Sequence, residues 1–425
     1  MKAILRYRFF YDYMADIRPF KAIRPTRDKV SLVASRSYLS YSEETLIEKL
    51  EHNPYTFLHI INPDYSEKQT EVKGKEKYPL VKNKFYNFQE EGVFIEEDKP
   101  TLYLYQQEKG NIVFTGIICA NSVDDYLNGK IKIHEQTIAR REEMFKDYLD
   151  LTGFNAEPVL LTYPDQDGVN EVFGSYLKER PEYEFTTTNR SVHRLWLIQD
   201  ESDIQQLQNI FSKVDAFYIA DGHHRSASSA LLCKQRRKEN PNYTGEESFN
   251  FCMSYLIPES QLRILDFNRI VKDLNGLSTK EFINAVSKTY EVSVRENSFT
   301  PSKKDEIGMY LEGKWYSLTA KESSFNRSHS VEKLDPAILS NNILSPILGI
   351  HDLRTDKRVS FIDGTLGKDA LEKAVNSGEY AVAFLLKSIG VQQLKEVADA
   401  RESMPPKSTY IEPKLRSGLL IYSIE

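Results

Sequence analysis

The amino-acid sequence predicts an α+β protein with more than one domain. The chain has 425 residues, which is longer than one compact core normally requires, and 40% of them are hydrophobic. Runs rich in β-branched and aromatic residues, at 55–61, 101–105 and 112–118, alternate with polar connectors. Later segments instead repeat their apolar residues with the 3.6-residue period of a helix, starting at Ile138.

The changing pattern along the chain divides it into three predicted regions. Residues 1–126 form a mostly β N-terminal region. Residues 127–260 form a core in which an apolar strand at 216–220 leads directly into a helix. Residues 261–425 form a mixed α/β C-terminal region with a late helix around 391–398.

Charge and cysteine usage exclude several classes of protein. The net charge of −6 leaves no global positive field for a nucleic-acid backbone or an anionic membrane. Cys119, Cys233 and Cys252 lack C-x-x-C spacing, so we expect no disulfide framework or zinc ribbon and a cytoplasmic location. Arg6 and Arg8 interrupt the first apolar stretch, and no apolar run approaches the roughly 18 residues of a membrane helix, so we expect no export signal or span.

The most informative motif is Asp221-Gly222-His223-His224-Arg225, between the predicted strand and helix. Glycine permits a sharp turn, and the first N–H groups of a helix have no partner within the helix. Two imidazoles and a guanidinium beside these donors are typical of a phosphate-binding site. The alternative is an ordinary helix start capped by the aspartate. A single metal ion held by both histidines is disfavoured, because adjacent helical side chains diverge by about 100°.

A second motif is His134-Glu135-Gln136-Thr137, immediately before the helix that starts near Ile138. A carboxylate here could act as a general base if it lay near an acceptor hydroxyl. The alternative is a capping arrangement at the helix start. A zinc peptidase is disfavoured because the second histidine of HExxH is missing.

A third motif is the segment Met-Pro-Pro-Lys-Ser-Thr at residues 404–409. Its prolines stiffen a loop that carries Lys407, Ser408 and Thr409, and such a loop could close over phosphates or a substrate carboxylate. The alternative is a plain surface turn. The chain has no GxxxxGK[ST], GxGxxG or GxSxG sequence, which disfavours the standard nucleotide-binding and hydrolase folds.

The three motifs and their order resemble those of the archaeal free L-serine kinases, members of the ParB/sulfiredoxin-like superfamily. The resemblance implies a ParB/sulfiredoxin-like nucleotide-binding core, with Glu135 as the catalytic base and His134 beside it. It also implies that Asp221 orients the acceptor hydroxyl or a Mg²⁺ ion. The phosphates would be held by Gly222, His223, His224 and Arg225, with Lys407, Ser408 and Thr409 closing from the other side.

Over nearly its whole length the chain also resembles the domain-of-unknown-function 1015 family. The matching stretches include residues 18–25, 53–59, 129–135, 193–196, 221–225, 267–269 and 404–409. One departure is the segment Ala34-Ser-Arg-Ser-Tyr38, which stands where many members carry Pro-Pro-Tyr-Asp.

We therefore expect a kinase that uses ATP or ADP with Mg²⁺ to convert L-serine into O-phospho-L-serine. Thr137 and Arg140 are expected to contact the substrate. Two alternatives stay open: the same site run in reverse as a phosphoserine phosphotransferase or phosphatase, and a non-enzymatic, nucleotide-responsive ParB-like regulator. The acidic net charge argues against a nucleic-acid partner. A homodimer is the default expectation from base rates.

Overall fold

A computed structural model describes residues 15–37, 40–66 and 74–425. Tyr38, in the segment that departs from the family pattern, lies outside these residues, as do Arg6 and Arg8. The chain divides into two compact units. Unit 1 comprises the described parts of Met1–Lys132, Thr137–Leu262 and Pro413–Glu425, and unit 2 comprises Ile133–Gln136 and Arg263–Glu412.

The strands of the described residues are numbered in chain order. They are β1 (Ile17–Arg18), β2 (Ala22–Pro25), β3 (Phe94–Glu96), β4 (Leu102–Lys109), β5 (Ile112–Ser122), β6 (Ile131–Lys132), β7 (Phe154–Asn155), β8 (Val159–Tyr163), β9 (Tyr183–Thr186), β10 (Val192–Ile198), β11 (Phe217–Asp221), β12 (Phe251–Pro258), β13 (Arg263–Leu265), β14 (Phe267–Val271), β15 (Tyr290–Arg295), β16 (Glu306–Leu311), β17 (Lys314–Ala320), β18 (Val359–Asp363), β19 (Val382–Leu385), β20 (Tyr410–Glu412) and β21 (Ile421–Ser423).

The α-helices of the described residues are numbered in the same way. They are α1 (Val30–Val33), α2 (Glu43–His52), α3 (Leu58–Ile61), α4 (Pro63–Ser66), α5 (Lys77–Glu90), α6 (Val123–Leu127), α7 (Ala139–Thr152), α8 (Asp167–Tyr176), α9 (Glu201–Phe211), α10 (His223–Glu239), α11 (Thr279–Val286), α12 (Asp335–Leu339), α13 (Gly367–Asn376) and α14 (Val391–Asp399). Among these helices, none has the length and apolar character needed to cross a membrane.

Unit 1 is organised around a mixed sheet with the strand order β6-β11-β8-β12-β5-β4-β10-β9, to which β1 adds by pairing with β5. Helices α6, α8, α9 and α10 contribute buried residues to the core on this sheet. Strand β11 is buried along most of its length because it lies inside the sheet, parallel to β6 and antiparallel to β8. Parallel strands end at the same edge of a sheet, so β6 and β11 both end at the edge where Asp221 lies.

Unit 2 is organised around an antiparallel sheet with the strand order β15-β17-β16-β19-β14-β18. Successive residues of β14 face opposite sides, and each side packs into a separate apolar cluster: Val271 into one, Ile270 into the other. Strands β13 and β20 form a separate pair. Strand β14 is therefore an internal strand of this unit.

The fold mixes α-helices and β-strands, as predicted, but the N-terminal region differs from its prediction. The strands predicted at 101–105 and 112–118, the helix that begins after Ile138 and the strand-to-helix step at residues 216–226 are all present. The run at 55–61 is wrong as a strand, because its last four residues form helix α3. A short run with few polar residues has no periodicity that separates a buried strand from a buried helical turn. With α1 to α5 in it, the described part of residues 1–126 is mixed rather than mostly β.

Candidate functional site

The turn between β11 and α10 has the sharp geometry predicted from its glycine. Gly222 has φ 106° and ψ 28°, and its carbonyl accepts the amide hydrogen of Ser226 at 3.1 Å. A Cβ atom at Gly222 would lie 2.8 Å from Nε of Arg225. Glycine is thus required for the left-handed backbone, and an added Cβ would also displace the Arg225 guanidinium.

Arg225 is held beside this helix start by two carboxylates of unit 1. Its Nη2 donates to Oδ2 of Asp221 at 3.1 Å, and its Nη1 lies 2.5 Å from Oε1 of Glu157. Glu157 also accepts from Oγ of Ser417 at 3.3 Å. Burial lowers the pKa of Arg225, but Glu157 and Asp221 outweigh it and the net pKa is raised. The guanidinium is therefore charged and fixed in orientation.

Asp221 ends the strand as an ionised carboxylate that faces two cations. Its side chain is 41% exposed, and besides Arg225 it pairs with Nζ of Lys414 at 3.7 Å. Burial raises the pKa of Asp221, but the charges of Lys414 and Arg225 lower it by more, so the net pKa lies below its ordinary value. The pairing register with β8 shifts between Ile219 and Asp221, an irregularity of the kind that often re-aims a side chain.

The two histidines of the turn differ in their surroundings. His223 is buried, and burial lowers its pKa to about 4, so its imidazole is neutral at pH 7. His224 is half-buried with its ring 6.5 Å from that of Phe145 on α7, and its carbonyl accepts from Oγ of Ser228 at 2.6 Å. Arg225, rather than His223, therefore supplies positive charge at this turn.

In unit 2 the structure brings the second and third motifs together. The carbonyl of His134 accepts the amide hydrogen of Met404 at 2.9 Å, which joins residues 133–136 to the start of the loop at 404–409. The His134 side chain is fully buried, whereas Glu135 is half-buried. The segment that carries Glu135 is thus anchored through the buried His134 and its hydrogen bond to Met404.

The loop at residues 404–409 has a defined conformation. Lys407 has φ 57°, an uncommon left-handed backbone for a residue other than glycine. Its Nζ lies 5.1 Å from the ring centroid of Phe267. Ser408 is buried and donates to the carbonyl of Pro405 at 2.7 Å, so its hydroxyl closes the loop, while Thr409 is half-buried. Such strained residues persist where the surroundings fix them, often at functional sites.

Thr137 and Arg140, the residues predicted to contact the substrate, lie in unit 1 at the start of α7. The Thr137 hydroxyl donates to Glu142, and Ile138, which makes no side-chain cap, occupies the N-cap position. The capping arrangement considered for this helix start is therefore not made by Thr137, whose hydroxyl contacts Glu142 instead. Arg140 is exposed on the first turn.

Two features that sequence reasoning missed are the long-range partners of the turn, Glu157 and Lys414. Neither belongs to the Asp221–Arg225 motif, and only the fold places them against it. Within the described ranges no group of three or more His, Cys, Asp or Glu side chains could hold a metal ion. A magnesium ion at Asp221 would take its other ligands from phosphates and water, as Mg²⁺ commonly does.

Comparison with known proteins gives one family and several distant structures. The model of the family described as "Protein of unknown function (DUF1015)" matches residues 17–337, and no curated protein matches the chain. A free serine kinase in complex with AMP is similar at 14% identity, over 72% of this chain and 91% of that one, with a TM-score of 0.35.

Two further solved structures are similar at the same level. A conserved hypothetical protein from Pyrococcus furiosus is 15% identical over 73% of this chain and 95% of that one, with a TM-score of 0.35. SbnI with a C-terminal truncation, from Staphylococcus aureus, is 13% identical over 71% and 85%, with a TM-score of 0.37. Likeness at this level transfers no activity from those proteins to this one.

Proposed function

This chain belongs to the DUF1015 family, and we propose that it is a phosphotransferase that moves a phosphoryl group between ATP or ADP and a small hydroxy amino acid, L-serine. The observation that carries the proposal is the turn after β11, where Gly222 opens helix α10 and Arg225 is fixed beside it. Arginine has five N–H donors and this one has two carboxylate partners, so donors remain for phosphate oxygens. Phosphoryl transfer depends mainly on such positioning and charge neutralisation.

The proposed roles of the remaining residues follow the motif resemblance. Glu135 accepts the proton of the acceptor hydroxyl, and buried His134 anchors the segment that holds it. Lys407 supplies a cation on the loop, and Ser408 keeps that loop closed. The backbone N–H groups of residues 222–225 and the Arg225 guanidinium bind the nucleotide phosphates. We extend the proposal to a ParB/sulfiredoxin-like core in unit 1, a cytoplasmic location and a homodimer.

Magnesium fits the proposal through Asp221. The carboxylate is ionised and partly exposed, and its contact with Lys414, at 3.7 Å, is the longer of its two ion pairs. Asp221 would hold a nucleotide-borne Mg²⁺ through its carboxylate, and Arg225 would remain paired with the same side chain. When bound, the ion would neutralise charge on the transferring phosphoryl group.

The test is direct detection of the product. The purified chain is incubated with L-serine, Mg²⁺ and either ATP or ADP, and O-phospho-L-serine is measured by mass spectrometry; the reverse reaction is run with O-phospho-L-serine and each of AMP and ADP. Product in either direction supports the proposal. Nucleotide binding without turnover would favour the ParB-like regulator, and absence of product in both directions would reject the enzyme.

A further inference from the structure

Arg269 is a buried cation without a counter-charge in unit 2. It lies in the middle of the internal strand β14, has a relative exposure of 0%, and is the largest fully buried side chain of the described residues. Its Nη1 donates to the carbonyl of Phe267, whereas Nε and Nη2 have no hydrogen-bond partner. No carboxylate of the described residues forms an ion pair with it. Burial alone lowers its pKa, to about 9, so it stays protonated at pH 7.

The surroundings of Arg269 are aromatic. The residues opposite it on the neighbouring strands are Phe361 and Phe384, and its guanidinium carbon lies 5.6 Å from the Phe361 ring centroid. The attraction between one ring and a cation is smaller than the penalty for burying an unpaired charge. Asp266 precedes Phe267 and Asp363 lies opposite it on β18, and these two carboxylates accept hydrogen bonds from Asn268 and Thr365.

A second cation meets the same aromatic surface. Phe267 and Arg269 are two residues apart on one strand and so face the same side, and the rings of Phe267 and Phe361 are 6.0 Å apart. Lys407 sits on the Phe267 ring and Arg269 on the Phe361 ring. No carboxylate of the described residues pairs with Lys407 either. Two cations, the buried Arg269 and the exposed Lys407, thus flank one aromatic pair without a carboxylate partner among the described residues.

We propose that Arg269, together with Lys407, binds an oxyanion of the small-molecule acceptor, either its carboxylate or its phosphate. Arginine offers planar, paired donors to both groups, and here Nε and Nη2 have no other hydrogen-bond partner. Because Arg269 is fully enclosed, the anion reaches it only when the side chains that cover it move. This inference rests on the proposed function, since it supplies the acceptor-binding residues for it.

The first test separates ligand binding from a structural role. Methionine has a similar length without charge, so Arg269→Met removes an unpaired buried cation, and we expect the unliganded variant to unfold at the same temperature as the wild type or higher. Arg295→Met is the control for loss of an arginine that is exposed: Arg295 also lies over a ring, that of Phe299, but donates to Oγ of Ser317 at 2.9 Å. A lower unfolding temperature for Arg269→Met than for Arg295→Met would overturn the proposal.

The second test measures the anion. Unfolding temperatures of wild type, Arg269→Met and Arg295→Met are recorded with L-serine, O-phospho-L-serine, inorganic phosphate and matched chloride. We expect wild type and Arg295→Met to be stabilised and Arg269→Met to lose that stabilisation. A shift with L-serine identifies the carboxylate, and a shift with inorganic phosphate identifies the phosphate. No shift in the wild type, or an undiminished shift in Arg269→Met, would overturn the proposal.

The kinetic arm distinguishes this inference from the proposed function. If transfer occurs, Arg269→Met should raise the KM for the amino acid at least about tenfold and leave nucleotide binding unchanged. Transfer by the wild type with an unchanged KM in Arg269→Met would refute the inference alone. Loss of the anion shift in Arg269→Met without any transfer activity in the wild type would refute the proposed function alone.

Discussion

Gly222 has a left-handed backbone that favours glycine, and a Cβ at this position would also displace the Arg225 guanidinium. Gly245 provides a matched control, because it also has a positive φ, 95°, but an added Cβ would meet no atom within 4 Å. We expect Gly245→Ala to lose about 1–3 kcal/mol of unfolding free energy from backbone strain, and Gly222→Ala to lose more. Urea unfolding measures the loss of stability in each variant, and nucleotide titration measures any loss of affinity. Equal losses with unchanged nucleotide affinity would show that Arg225 tolerates displacement.

Glu135 is the residue on which the proposed chemistry depends most. Glutamine keeps the size of the side chain but cannot accept a proton, so Glu135→Gln should bind nucleotide normally and transfer phosphate at least about a hundredfold more slowly. Glu143→Gln is the control, because the Glu143 side chain is 58% exposed and forms an ion pair with Lys146 one turn further along α7. The assay is single-turnover formation of phosphoserine. A Glu135→Gln enzyme as fast as Glu143→Gln would exclude Glu135 as the base.

At the scale of elements, strand β11, the turn and helix α10 form one continuous strand-turn-helix unit. This unit places Asp221 and Arg225 at the C-terminal end of the strand. The step is local in sequence: an apolar strand, one glycine and a helix start follow one another without a loop. That is why it was predictable from the sequence alone. Its long-range partners were not, because nothing in the residues around Glu157 or Lys414 indicates that folding brings them to the turn.

The first turn of α10 gives this element a predicted pH dependence. His223 has a pKa of about 4 in the folded state, below the ordinary value of about 6.5, so the unfolded chain binds the proton first as the pH falls. The free energy of unfolding should therefore decrease between about pH 6.5 and pH 4, by at most about 3 kcal/mol from this residue. Urea unfolding of the wild type and of His223→Gln at pH 7 and pH 4.5 measures it. His52→Gln, at an exposed histidine, is the control, and a His223→Gln slope equal to that of the wild type would contradict the assignment.

At the scale of the whole molecule, each unit is assembled from discontinuous segments of the chain. Residues 133–136 join unit 2 and Pro413–Glu425 joins unit 1, and no local pattern of apolar residues encodes such an exchange. The adjacency of His134 and Met404 was not predicted from the sequence, and buried Arg269 gave no signal beyond its place in a matched stretch. Sequence periodicity predicts which face of a helix or strand is buried and where a turn falls. Contacts between segments far apart in the chain depend instead on long-range packing.

The overall charge supports one further prediction, against a nucleic-acid-binding role. Binding to duplex DNA derives most of its non-specific affinity from lysines and arginines that displace counterions from phosphates, and this chain has 56 such residues against 62 acidic ones. The phosphate-binding turn that we propose would serve one nucleotide but not a continuous backbone. We therefore expect no change in the fluorescence anisotropy of a labelled duplex at about 50 mM salt, with or without nucleotide. Binding that weakens steeply towards about 200 mM salt would revive the ParB-like regulator, because only multiple phosphate contacts produce that dependence.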